Sequence, residues 1–584
     1  MKILLPQSLG ELPLGDLAFR TRLRSIAHLC APGKIALLAG GEEDLAFIRG
    51  EALRSSEELP LEKWGHTYHF DAPGDATPLP VCYWVNGAQG LYPDRAAMPR
   101  PEAEAKLRLA LEGCAAGQTL YLCLGLLGTS DMPFRAAAVQ LTDSPYAAHC
   151  FLMDTRPWEA TSDKTHTLLG VHMALVKAKA LAGHIHVDPC TSTVYVLGSH
   201  YALNALPFIR TTPALLSRHS GELGAKFKTL LLMGLEKVAA SENPLYFAVA
   251  SPGAQALPSL AMEPGVRFAG HGGTALWRRD GKIFAAALHQ LLYGTLPDGP
   301  MTDDPTLFGA ITTPREEIVT NALGPPQETL WFWLRNHPKG PPSGLDYTGQ
   351  WREGGAGAPQ IPLAPRNAEY LMRGTELGNA GPNLHASQGV PVSAFVYCGL
   401  EEAKAVPILE AFDQEHGMYL EATAVDMRGG QMRPAFFTDA LPEPCTQDAS
   451  SFSYSADNAP RIFAANFFTH AHAPLGGAAR QEAVVWLRWV QGRLEGRFEA
   501  ERTAIGLIPK YTDARLLFEQ HMQKNYTQAE HARRFTIHAE HYWAKAALVR
   551  NIHKSRRMPN ALYTQAQAQR HRLLTHGAGK PIQA

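Results

Sequence analysis

The chain lacks paired cysteines, long apolar runs and low-complexity tracts, and each absence narrows its class. Its eight cysteines stand singly, at Cys30, Cys82, Cys114, Cys123, Cys150, Cys190, Cys398 and Cys445, with no CxxC spacing. This argues against a zinc ribbon and a disulfide framework, and suits a reducing compartment. No stretch of about 18 apolar residues occurs, so no membrane span is expected. The opening Met1-Lys2-Ile3-Leu4-Leu5-Pro6 is broken too early by proline to read as a secretory signal. GxSxG, HExxH and dinucleotide-binding patterns are also missing. The expectation is a cytoplasmic globular protein.

What is present is an ordinary globular composition over 584 residues, 45% hydrophobic and 19% charged, with a net charge of -1. That length accommodates two or three domains. Charge is uneven: from His521 onward eleven Lys/Arg face two acids, leaving the upstream body acidic. The basic segment is expected to be helical, docking on the chain's own body or on an acidic partner. It has no nucleic-acid reading motif, so nucleic acid is not an expected partner.

Up to about residue 240, strand-like runs (Lys34–Ala39, Leu120–Leu126, Thr193–Leu197) alternate with stretches read as helical, Pro101–Cys114 and Thr165–Leu181. A second region opens with a strand, Leu245–Ala250. It continues through a Gly/Pro-rich loop at Gly340–Pro365 to a strand (Val392–Tyr397), a helix (Ala405–Gln414) and a strand (Met418–Ala424). A polar loop at Glu443–Asp457 leads to the strand Pro460–Asn466, and Asp513–Leu574 reads as helical. The pattern predicts a mixed α/β protein of two lobes, 1–240 and 241–584.

Several segments are similar to one family, the GTP-dependent phosphoenolpyruvate carboxykinases. Val139-Gln140-Leu141-Thr142-Asp143-Ser144-Pro145-Tyr146 resembles its ELTDSPY signature, and Gly198-Ser199-His200-Tyr201-Ala202-Leu203-Asn204 its GSGYGGN turn. Arg461–Phe468 resembles KIFHVNWF; Trp489–Gly496 and Ile505–Lys510 resemble WMFGRIEG and IGYVPK. The matches keep the family's order from about residue 100 to 570. The resemblance implies a two-lobed fold with a cleft for oxaloacetate or phosphoenolpyruvate opposite a nucleotide, and GTP with manganese or magnesium as cofactors.

The working positions depart from that family. Its phosphate loop FPSACGKTNLAM appears as Ser251–Met262, in which Gly253 stays but Gly-Lys-Thr becomes Ala256-Leu257-Pro258. Leu257 brings no charge, and Pro258 removes both an N–H donor and a magnesium-binding hydroxyl. The metal-binding lysine falls at Arg210, whose guanidinium has no lone pair to offer. The metal-binding histidine falls at Thr229, and the aspartate motif reads Gly270-His271-Gly272-Gly273. Substrate-binding arginines fall at Glu369 and at Leu400-Glu401, with Asn367 retained; another falls at Phe47, two residues before Arg49. A carboxylate in place of a guanidinium turns attraction for an anion into repulsion. The lid between Thr423 and Met432 is short. In the guanine pocket Phe468 remains, while His472–Ala483 show no second aromatic or asparagine. Tyr201 keeps the family's tyrosine and is expected to fill the cleft.

Local histidine pairs, His184/His186 and His470/His472, lack a third ligand and are expected to be structural, so no metal is predicted. Cys190, close to Asp188 and His186, is expected to be a buried thiol. The resulting expectation is a noncatalytic binding or regulatory protein that uses no cofactor and engages an unidentified protein or small molecule. The alternatives are an enzyme acting on another small molecule through Tyr201, Asn367, Arg210 and His271, or a divergent phosphoenolpyruvate carboxykinase.

Overall fold

The strand Thr119–Leu127 is buried along almost its whole length, which places it in the interior of a sheet covered on both faces. Leu120, Leu122 and Leu124 point into one apolar cluster with the helices Leu17–Cys30 and Arg100–Leu111. Tyr121 and Cys123 point into another with the helices Glu42–Arg54 and Pro145–Asp154. The two-residue period of a strand thus builds a three-layer lobe around a ten-stranded mixed sheet.

The computed structural model describes most of residues 2–320. The segments 70–79, 87–95, 160–164, 175–180, 200–205, 237–243, 251–257 and 297–304 and some single or paired residues lie outside the description. Beyond 320 it describes 344–345, 351–353, 355, most of 369–398, 408–411, 425–426, 433–434, 460–465 and most of 477–517. The expected strand Met418–Ala424, the loop Glu443–Asp457 and almost all of the helical segment from Asp513 lie outside the described residues.

Two expected helices are strands where they are described. Within Thr165–Leu181, His166–Met173 pairs in parallel with both Ala136–Thr142 and Thr193–Leu197. Leu168 joins one core cluster, Leu169 and Val171 the other. A run that is apolar on every side has no distinguishing period, and Gly170 at its centre disfavours helix. Within Ala405–Gln414, Ile408–Glu410 runs antiparallel to Arg461–Ala465, and the Glu410 carboxylate accepts hydrogen bonds from Arg461 and Arg493.

In the second sheet five strands close on themselves. Leu245–Ala250 pairs with Lys226–Leu235 on one edge and in parallel with Val390–Cys398 on the other. Val266–Arg279 and Lys282–Ala287 complete the ring. Closure leaves those strands no open edge. The helix Gly477–Leu494 is anchored beside the ring, with Arg480 buried and paired to Glu263 at 2.8 Å. Lys226–Leu235 belongs to this sheet although it precedes residue 240. A third sheet joins His66–His69 to Leu291–Thr295, Glu317–Thr320 and Glu369–Arg373, so it takes strands from both ends of the sequence. Among the described residues no helix is long and apolar enough to cross a membrane.

Candidate functional site

Three elements carry the positions that the resemblance assigns to the metal. Arg210 lies on the helix Leu206–Ser217, Thr229 on the strand Lys226–Leu235, and His271 on the strand Val266–Arg279. Register brings the last two together: Thr229 stands opposite Gly273, and Leu231 opposite His271. Pro213 of the helix lies 3.2 Å from where a Gly273 Cβ would stand, so the helix seats directly on this glycine. Gly270 and Gly272 hold φ of +148° and +89°, a region that side-chain-bearing residues avoid, beside a register shift between Leu232 and Met233. The Gly-His-Gly-Gly run therefore shapes a kinked strand and buries the His271 ring, 4.6 Å from that of Tyr293.

The described side chains at these positions are one imidazole packed on an aromatic ring and one hydroxyl, beside a helix whose residue 210 is arginine. Among the described residues no three His, Cys, Asp or Glu side chains converge as ligands would.

Pro258 opens the short helical turn Pro258–Met262 and is buried, with Leu260 and Met262 in the core beneath. Glu369 is buried in the third sheet, its N–H donating to Thr320 Oγ1 at 3.2 Å. Phe47 packs against the first lobe's core. Tyr201, Asn367, Leu400, Glu401, Gly253, Ala256, Leu257 and Phe468 lie outside the described residues, as do His470 and His472. His186 is structural: Trp84 Nε1 donates to its Nδ1 at 3.3 Å and its Nε2 donates to the Leu181 carbonyl at 3.1 Å. Burial and the neighbouring His184 push its pKa down to about 4. Cys190 corrects an expectation. It is exposed, because Asp188 caps the turn Pro189–Thr191 and turns the thiol outward, where Asn86 donates to its sulfur at 3.2 Å.

The segment Val139–Tyr146 forms a strand end, a cap and a helix start. Ser144 caps Pro145–Asp154 through Ala147 N–H at 3.1 Å. The Glu57 carboxylate accepts from Ser144 Oγ at 2.5 Å and Tyr146 N–H at 3.0 Å, placing an anion at the positive end of that helix. Tyr146 stacks on His69 with ring centroids 3.5 Å apart.

Profiles of two domains match the chain: the phosphoenolpyruvate carboxykinase N-terminal domain over residues 23–212 and the phosphoenolpyruvate carboxykinase C-terminal P-loop domain over 228–572. The chain belongs to the phosphoenolpyruvate carboxykinase family. Its relatives include the phosphoenolpyruvate carboxykinases [GTP] of Saccharolobus solfataricus, 26% identical over 95% of this chain and 92% of the relative, and of Pyrococcus abyssi, 28% identical over 93% and 92%. That of Anaeromyxobacter dehalogenans is 24% identical over 83% and 85%. The family's two-lobed α/β architecture accounts for the mixed sheets described above.

On this family fold the chain carries buried polar groups that motif reading did not find. Every residue of Pro145–Asp154 is buried, including the imidazole of His149 and the carboxylate of Asp154. His149 bridges Glu58 at 2.7 Å and Glu316 at 3.0 Å; Asp154 holds His289 at 2.5 Å. Burial alone would lower the His149 pKa, but the Glu58 charge and the hydrogen bonds donated to both glutamates outweigh it and raise it to about 9. Glu316 is lowered in turn: burial opposes ionisation, and the His149 hydrogen bond and charge overcome it. Ionisable residues on an otherwise apolar helix were the available signal.

Glu317, one residue on, is fully buried, and neither of its carboxylate oxygens has a hydrogen-bond partner among the described residues; His66 Nε2 lies 4.0 Å away. Burial raises its pKa well above the ordinary range, with Arg315 opposing and Glu376 reinforcing. A carboxyl with a raised folded pKa costs stability as pH climbs past its unfolded value near 4.5. Glu317→Leu is therefore expected to stabilise the protein at pH 8 by about 1–3 kcal/mol, with a smaller gain at pH 5. Urea denaturation at the two pH values checks it; an equal loss at both would refute it.

Proposed function

We propose that this chain is a phosphoenolpyruvate carboxykinase-family protein that does not perform GTP- and metal-dependent phosphoryl transfer and acts instead by binding a partner or small molecule. One observation carries the reading: where the strand of Thr229 pairs with that of His271 against the helix Leu206–Ser217, the described side chains are a hydroxyl and an imidazole, and residue 210 of that helix is an arginine. The guanidinium stays protonated and repels a cation. Leu257-Pro258 removes the charge and the hydroxyl that cradle a nucleotide's phosphates. Glu369 and Glu401 would repel an anionic substrate and suit a ligand bearing a cationic group. The basic segment after His521 is the proposed docking element for an acidic surface on a partner.

A second reading, a divergent enzyme that retains the family reaction, is favoured by alignment over 92% of relatives named phosphoenolpyruvate carboxykinase [GTP]. Purified protein given oxaloacetate, GTP and manganese separates the two. The first reading expects no phosphoenolpyruvate and no change in melting temperature with GTP and manganese. Turnover in the ordinary range of about 1–1,000 per second would establish the second.

A further inference from the structure

A cavity of about 210 Å³ lies between the two halves of the sequence, lined by Thr129, Ser130 and Arg156 from the first and by His289, Gln290 and Thr375 from the second. It is large against the 10–15 Å³ or so that one water requires. It is also separate from the positions discussed above: Phe47, Arg210, Thr229, His271 and Glu369 do not line it. Its wall includes Val390, the first residue of Val390–Cys398, whereas the phosphate loop follows Ala250, which pairs with Tyr397 near that strand's other end. Seven residues of strand separate the two ends, about 23 Å.

Two buried groups on this wall are unsatisfied. Asp154 fixes the His289 ring through Nδ1, and Asp154 is itself held by the Leu291 N–H at 3.2 Å. The His289 side chain is fully buried, yet its Nε2 has no hydrogen-bond partner among the described residues. That edge of the ring lies against Gly273, where a Cβ would stand 3.3 Å from Nε2. Arg156 Nε is likewise buried and unpaired among the described residues. Among the described residues no aspartate or glutamate lines the cavity. Buried polar groups without partners are costly, and Glu159, which acts on the Arg156 guanidinium, is not part of the described lining.

We propose that this cavity is a binding site for a small aliphatic carboxylic acid carrying a second polar group. The guanidinium of Arg156 matches a carboxylate's two oxygens. His289 Nε2, the Ser130 hydroxyl and the Gln290 amide receive the second group, and the methyl groups of Ala285, Ala286 and Ala287 cover the short carbon chain. The site is independent of whether the family's GTP chemistry persists, because it uses none of those positions.

The test is titration calorimetry of the full chain with succinate, malate and acetate at constant ionic strength, alongside inorganic phosphate. Malate or succinate is expected to bind, acetate and phosphate more weakly. Arg156→Met is expected to weaken the best acid at least about ten-fold, with partial recovery in Arg156→Lys. Ser130→Ala, too small a change to disturb folding, is expected to weaken it about three-fold. The site is refuted if no acid binds at about a hundred times a micromolar-range constant, if phosphate and acetate bind as well as the larger acids, or if Ser130→Ala and a folded Arg156→Met both bind like wild type.

Discussion

Replacing His149 by alanine is expected to cost about 3–5 kcal/mol, because it leaves two glutamates facing a buried void. Glu58 and His149 are completely buried, and Glu316 is mostly so. The triad spans the fold: Glu58 precedes the third sheet's first strands, His149 sits on a first-lobe helix, and Glu316 adjoins the strand Glu317–Thr320. Losing the imidazolium would therefore loosen the junction between the first and third sheets. Its pH dependence has a definite sign. A histidine whose folded pKa is raised to about 9 contributes fully below its unfolded value of 6.5, and that contribution disappears as pH rises through 9. Wild-type stability should fall between pH 7 and pH 10, and His149→Ala should flatten that fall. Urea midpoints measured across this range provide the check; a loss below about 1 kcal/mol at pH 6 would mean the bridge is energetically idle.

Gly270→Ala is the second large effect expected. An added Cβ would fall 2.4 Å from the Cβ of Ala287, an atom that cannot rotate away, and φ of +148° is strained for any side chain. Overpacking of about 1–3 kcal/mol and backbone strain of about 1–3 kcal/mol act at the same residue, so a loss of about 2–6 kcal/mol is expected. The closed ring would shift between Lys282–Ala287 and Val266–Arg279, the strand that also carries the neighbouring His271. Gly50 is the matched control. It lies inside the helix Glu42–Arg54 with nothing within 4 Å of its would-be Cβ. There alanine is expected to stabilise by about 0.5–1 kcal/mol. Circular dichroism melts of the two variants should move in opposite directions.

Much of the architecture was readable in short strings. Leu120–Leu126, Thr193–Leu197, Leu245–Ala250 and Val392–Tyr397 all lie within strands, since continuous apolar runs of that length have few other uses. Pro101–Cys114 largely coincides with the helix Arg100–Leu111, which places a proline in its first turn. The reading failed where local pattern was ambiguous. His166–Met173 is apolar on both sides, and only its two parallel neighbours make it a strand. Cys190 resembled a core thiol by type, but a carboxylate-capped turn sends it outward.

By itself, the sequence determined the family, because signature segments retain their order along the chain. Tertiary structure alone decided which distant groups meet. Glu58 finds His149 across 91 residues and Asp154 finds His289 across 135. Such pairs follow no period in the chain, since long-range contacts are selected by how strands and helices stack. The energy of a buried charge depends on what surrounds it, and those surroundings exist only once the sheets have assembled.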